Sequence, residues 1–151
     1  MTSDNHFPLD RDPLGAFLPG PRAKVPPLGI GPLNGLRVAV KDNFDLEGLV
    51  TGAGNPDFAA SQQPARAHAE AVLRLLRAGA SVVGKTITDE LAYSLNGRNF
   101  HFGAPATPEA PGRICGGSSC GSASAGAGGL CDVALGTDTG GSVRVPASYC
   151  G

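Results

Sequence analysis

The chain has 151 residues, 41% of them hydrophobic and 17% charged, with 23 glycines and 13 prolines. That length suits one domain with a real core, and a Gly and Pro load without a collagen period means a backbone rich in tight turns. A formal charge of −1, with no basic stripe, removes the attraction on which nucleic-acid binding depends, and no run of 18 apolar residues is present to span a membrane. Residues 1–10 show no basic-then-apolar leader pattern, so the expectation is a cytoplasmic protein with neither nucleic acid nor membrane as partner.

Residues 1–34 carry seven prolines, from Pro8 to Pro32, a density that forbids long helices. They read as an extended Pro-rich segment laid over another part of the fold, ahead of a domain running over 35–151. Residues 36–41 (LRVAVK) form a short β-rich run that puts Lys41 at a strand's C-terminal end. Residues 42–64 are loop-like, punctuated by Gly48, Gly52 and Gly54. Over 65–78, Ala69, Val72, Leu73 and Leu76 recur at helical spacing with Arg66, Arg74 and Arg77 outward, and Gly79 is a fitting stop. Residues 80–84 (ASVVG) then read as a second buried strand, so strand, helix and strand predict a parallel pair in an α/β architecture.

A further helix is predicted from Thr88 as N-cap, with Asp89 and Glu90 in its first turn, to about Leu95. Thirteen of the fourteen residues over 116–129 are Gly, Ser or Ala. Because this run leads straight into apolar 130–135, it is read as a loop and then a small-residue helix packed close to its neighbours, rather than a linker. Residues 143–147 can open another helix. Val38, Val40, Val82, Val83, Val133 and Leu135 are the expected core strand positions.

Four cysteines, Cys115, Cys120, Cys131 and Cys150, lack the paired spacing of a zinc site and read as buried free thiols. Two motifs fail their context. Residues 79–86 (GASVVGKT) fit the phosphate-cradling pattern, but a helix precedes Gly79 and the run itself looks like the strand, so its N–H groups belong to a sheet ladder. Residues 117–121 (GSSCG) fit the nucleophile elbow with Ser119 at its centre. No buried strand leads in, however, and His6, His68 and His101 all lie upstream, so no acid-then-histidine order follows.

Without a histidine, a serine hydrolase needs another base, and lysine is the known substitute. Residues 116–123 (GGSSCGSA) followed by 134–147 (ALGTDTGGSVRVPA) closely resemble the amidase signature. Gly35-Leu36, Val40-Lys41-Asp42-Asn43 and Gly84-Lys85-Thr86 with Glu90 resemble the same family upstream. The resemblance implies an α/β fold with a mixed β-sheet core flanked by helices, present as an N-terminal part. It also implies amide hydrolysis of C–N bonds other than peptide bonds, on a small-molecule amide, with no cofactor and no metal. By position, Ser142 resembles the nucleophile, Ser118 the bridging serine after a cis Gly117–Ser118 peptide, and Lys41 the base. The N–H groups of Thr139, Gly140, Gly141 and Ser142 would form the oxyanion hole, with Asp138 and Arg144 shaping the loop.

The chemistry is self-consistent. A neutral Lys41 accepts a proton through the Ser118 hydroxyl, which deprotonates Ser142 as it attacks the carbonyl, and paired glycines let backbone approach the oxyanion. Local sequence alone would make Lys41 an ion-paired or solvated lysine beside Asp42, and Ser142 a helix N-cap. Lys85, just after a buried strand, is the competing lysine and is read as structural support. Cys120 stands where the family usually has Gly or Ser. The chain stops just past Ser142 whereas family members are much longer, so it is expected to be a fragment, inactive alone, whose full-length form can be a homodimer. Residues 90–99 and 101–103 look most like plant and bacterial arylacetamide-type amidases. The alternatives are the glutaminase subunit of a tRNA-dependent amidotransferase, and an inactive truncated relative acting as an interaction module.

Overall fold

Strand β1 (Arg37–Lys41) is buried from Val38 onward, as a run with apolar side chains on both faces requires of a central strand. In the computed structural model, which describes residues 11–151, it pairs in parallel with β2 (Ser81–Thr86) on one side and β3 (Val133–Leu135) on the other, giving the order β2-β1-β3. The three strands are all parallel. The antiparallel character of the sheet is confined to two bridges from the leading segment, Phe17 to Thr86 and Val25 to Val82.

Each face has its own cover. Helix α2 (Glu70–Arg77) lays Val72 and Leu76 on Val38, Val40, Leu46 and Val82. On the other face α3 (Cys120–Ala127) packs Ala125 with Ala39, Val83, Phe17 and Leu130. The Gly, Ser and Ala content of α3 sets how closely it lies: a Cβ at Gly121 would collide with the backbone of Ala16 and Ile87. Helix α4 (Arg144–Cys150) follows, its Cys150 buried with Cys115, Cys120 and Ile87. All four thiols are buried and free.

The described part of the Pro-rich segment runs along the outer edge of β2, where Val25 and Val82 exchange backbone hydrogen bonds of 3.0 and 2.9 Å. An otherwise open strand edge is closed this way. Phe17 lies against Gly84, where any Cβ would meet its ring, and the Arg22 guanidinium sits 3.5 Å above that ring. Residues 1–10, with Pro8 and the absent leader pattern, lie outside the described residues. Among the described residues no helix is long and apolar enough to cross a membrane.

Four sequence expectations change. The helix predicted over 65–78 begins at Glu70, because Ala65 and Ala69 spend their N–H groups on Leu49 and Asp45 carbonyls. The loop over 42–64 contains a short helix α1 (Pro56–Ser61), started by Asn55, whose side chain accepts the Phe58 N–H at 2.7 Å, and by Pro56 in the first turn. The helix expected from Thr88 to Leu95 is a single 3-10 turn, Glu90–Ala92, in which Leu91 and Ala92 adopt φ of +51° and +56°. Asp89, not Thr88, occupies the cap position, and without a side-chain cap bond: its carboxylate takes the Gly97 N–H, and Leu91 donates to the Ala53 carbonyl, drawing the backbone across the molecule. Val133 is 40% exposed, and Leu135 is half-buried, because among the described residues β3 has a strand neighbour on one side only.

Leu76 is fully buried between α2 and the sheet. Leu76→Ala should therefore lower stability by about 2–5 kcal/mol, read as a fall in the urea midpoint at unchanged slope.

Candidate active site

Three backbone segments converge at the C-terminal end of the sheet. β1 delivers Lys41, the turn before α3 delivers Ser118 and Ser119, and the turn between β3 and α4 delivers residues 137–142. Lys41 is 0% exposed. Its Nζ lies 2.7 Å from Ser118 Oγ and 2.9 Å from Thr137 Oγ1. Asn43 Nδ2 donates to the same Thr137 hydroxyl at 2.8 Å. Burial pushes the Lys41 pKa down to about 8, against the opposing pull of the Asp89 and Asp138 carboxylates.

The neighbouring lysine is organised differently. Lys85 Nζ forms a 2.9 Å ion pair with Asp42 Oδ1, with both side chains nearly fully buried. Asp42 also takes the Gly54 N–H at 3.1 Å, which ties the pair to the loop after β1. Asp42 thus belongs to Lys85. Lys41 is fully buried and makes no ion pair among the described residues, so the local-sequence picture of an ion-paired or solvated lysine does not hold.

The Gly117–Ser118 peptide is cis, and the Ser118 carbonyl accepts the Asp89 N–H at 3.0 Å. Ser119, the elbow candidate, is buried with its hydroxyl tied to the Thr137 backbone, donating to the carbonyl and accepting from the N–H, each at 3.3 Å. The Ser119 N–H donates to the Ser142 carbonyl at 3.0 Å and so joins the two serine-bearing turns. Ser118 and Ser142 line one cavity of about 490 Å³, shared with Thr137, Thr139, Gly140 and the 92–95 segment opposite. No hydrogen bond between the Ser118 and Ser142 hydroxyls is among those of the described residues; they share the wall without touching through one. Ser142 is not the N-cap of α4; Val143 is, with no side-chain cap bond.

Asp138 organises the turn before α4. Its carboxylate accepts the N–H groups of Gly141, Val143 and Arg144 at 2.8, 3.0 and 3.1 Å and pairs with the Arg144 guanidinium at 2.9 Å. The Arg144 side chain and these N–H groups hold the Asp138 carboxyl well below the usual carboxylate range. Gly141 sits at φ +123°, which only glycine adopts without strain. Of the four N–H groups expected to face an oxyanion, that of Gly141 is spent on Asp138. The N–H groups of Thr139, Gly140 and Ser142 take no partner in the hydrogen bonding of the described residues. Among the described residues no cluster of three or more His, Cys, Asp or Glu could hold a metal ion.

Sequence reasoning misses Thr137, Asn43 and Asp89 as neighbours of this site. Thr137 and Asn43 are within its reach, since each lies inside a motif of the family and carries a polar group beside a candidate. Asp89 is hidden by its likeness to a helix start.

A family model described as Amidase matches residues 24–151. The chain belongs to the amidase family. Amidase 1 of Oryza sativa is 56% identical over 93% of this chain, which spans 32% of that relative's length. A glutamyl-tRNA(Gln) amidotransferase subunit of Thermotoga maritima superposes with a TM-score of 0.80 at 37% identity, over 91% of this chain and 30% of that one. The chloroplastic outer envelope protein 64 of Arabidopsis thaliana is 46% identical over 93% of this chain and 25% of its own length. That last relative overturns the expectation of a cytoplasmic protein. An amidase sequence so similar belongs to an organelle's outer envelope protein, so neither the charge nor the hydropathy of this region specifies the cytoplasm.

Lys41 titrates near 8 in the fold and at an ordinary 10.5 when unfolded, so between those values the unfolded chain binds more protons. Stability should rise with pH across that interval and be lost again as pH falls through about 8. Lys41→Met should remove this component and raise stability near neutrality. Urea midpoints of both proteins at about pH 7 and about pH 10 check it, the wild-type gain exceeding the variant's.

Proposed function

We propose that this region, as part of a longer amidase, supplies the residues that hydrolyse a small carboxylic amide to acid and ammonia or amine, with Ser142 as nucleophile, Ser118 as proton relay and Lys41 as base. The observation that carries the reading is the 2.7 Å hydrogen bond from a buried, unpaired lysine to Ser118, at the floor of a cavity that Ser142 also lines. Ser142 Oγ attacks the carbonyl carbon while its proton passes to Ser118, and the Ser118 proton passes to Lys41 Nζ. The developing oxyanion faces the free N–H groups of Thr139, Gly140 and Ser142. The proton then returns to the leaving nitrogen, the C–N bond breaks, and water releases the acid from the acyl-enzyme by the same relay.

A second reading is favoured by the superposition on the amidotransferase protein of Thermotoga maritima. In it the same residues release ammonia from glutamine for a partner subunit. Ammonia release from a simple aliphatic amide without added subunits supports the first reading, and strict dependence on partners supports the second. An interaction module without chemistry is the third, and it forbids covalent labelling of any serine by a fluorophosphonate.

Lys41 accepts a proton only when neutral, so the rate should rise with pH through about 8. Lys41→Arg should lose roughly 100-fold or more, because guanidinium stays charged. Ser142→Ala should abolish fluorophosphonate attachment while Ser119→Ala retains it. Mass-spectrometric location of the adduct on Ser119 or Cys120 would remove Ser142 from the role.

A further inference from the structure

Asp89 is 0% exposed, yet its carboxylate is poorly satisfied. Oδ2 accepts one hydrogen bond, from the Gly97 N–H at 3.1 Å, and Oδ1 has no partner. No lysine, arginine or histidine pairs with it among the described residues. A buried carboxylate is ordinarily paired or multiply hydrogen-bonded, because otherwise nothing replaces its lost hydration. The carboxylate packs on Gly117, where a Cβ would collide with it, and the Asp89 N–H holds the Ser118 carbonyl at 3.0 Å. Ser118 in turn is hydrogen-bonded to Lys41.

We propose that Asp89 is a positioning residue whose ionised carboxylate supplies the counter-charge for the ammonium that forms when Lys41 takes the relay proton. The inference rests on the reading of Lys41 as base. It deepens that reading by saying what stabilises a full positive charge in a site where Lys41 has no solvent and no direct ion pair.

The other groups facing Lys41 do not serve. The Asp138 charge is matched by Arg144 and three backbone N–H groups. The Cys120 thiol is held above its ordinary range by its hydrogen bond to Cys115 and by burial, so it stays neutral. Asp42 is matched by Lys85. The titratable groups within electrostatic reach of Asp89 are Lys41, Cys115 and Cys120, of which Lys41 is the one that becomes cationic. In the active form, with Lys41 neutral, Asp89 is uncompensated, and proton transfer creates the opposite charge across Ser118. Acylation is favoured electrostatically without any atom moving far.

Asp89→Asn keeps the shape and the acceptor for Gly97 while removing the charge. Its sulfonylation by phenylmethanesulfonyl fluoride should slow by roughly 10- to 100-fold. Loss of the negative neighbour destabilises the ammonium, so the Lys41 Nζ titration, followed by ¹⁵N NMR, should move down by roughly one pH unit. The acid limb of the labelling profile should move with it. In the wild type, the Asp89 ¹³Cγ resonance should report a carboxylate near neutral pH and inflect at the Lys41 midpoint, which tests the coupling even where the variant does not fold. A protonated Asp89 near neutrality, an uninflected ¹³Cγ curve, or an unmoved Lys41 midpoint in Asp89→Asn overturns the proposal. Undiminished labelling of Lys41→Arg would instead overturn Lys41 as base, a separate failure.

Discussion

Lys41 is buried at the end of the central strand with no ion pair among the described residues, and the arrangement around it follows from that. An ammonium there loses hydration and gains only hydroxyl and carbonyl oxygens from Ser118 and Thr137 in return. Desolvation therefore dominates its protonation and brings the pKa to about 8. Had Asp42, the next residue, turned toward Lys41, the pair would have stayed charged and chemically idle. The turn after β1 instead sends Asp42 to Lys85, on the neighbouring strand. Two lysines on adjacent strands thus acquire different partners through the placement of one carboxylate, Asp42 for Lys85 and hydroxyl oxygens for Lys41.

That division depends on backbone geometry as much as on charge. The turn before α3 and the turn before α4 must both reach Lys41, and they are stitched by the Ser119 N–H to the Ser142 carbonyl and by the Ser119 hydroxyl to Thr137. The Gly, Ser and Ala run allows it. A side chain at Gly117 would strike Asp89, and one at Gly121 would strike the Ala16 and Ile87 backbone. Low apolar area in α3 weakens its contribution to the core, which instead comes from α2 on the opposite face. One face of the sheet is built for stability and the other for close approach.

The parts of this fold legible in the sequence are those governed by local pattern. Val38 and Val40 mark the central strand, Val72 and Leu76 the helical stripe, and the abrupt change from 116–129 to apolar residues marks a close-packed helix. The illegible parts are decided by distant partners. Asp89 and Glu90 look like a helix start, but Gly97, Ala53 and Asn55 claim the polar groups of this segment across the fold, and it becomes a turn with left-handed Leu91 and Ala92. Val133 looks like core and is not, because exposure depends on which strand forms the edge. At the site, residue identities can be read from the motif, while the withdrawal of the Gly141 N–H by Asp138 cannot: that depends on a turn geometry no spacing encodes.

The misread segment also forms the cavity wall opposite Ser142. Because 92–95 is irregular rather than helical, its side chains are not constrained to one face, and Tyr93 stands 93% exposed at the rim. Here the Leu95 carbonyl is free to hold the Gly117 N–H at 3.0 Å, directly beside the cis peptide that precedes Ser118. Asp89 anchors the start of the same segment and the Ser118 carbonyl. The cavity wall and the turn that carries Ser118 are therefore one hydrogen-bonded unit, joined through Leu95 and Gly117.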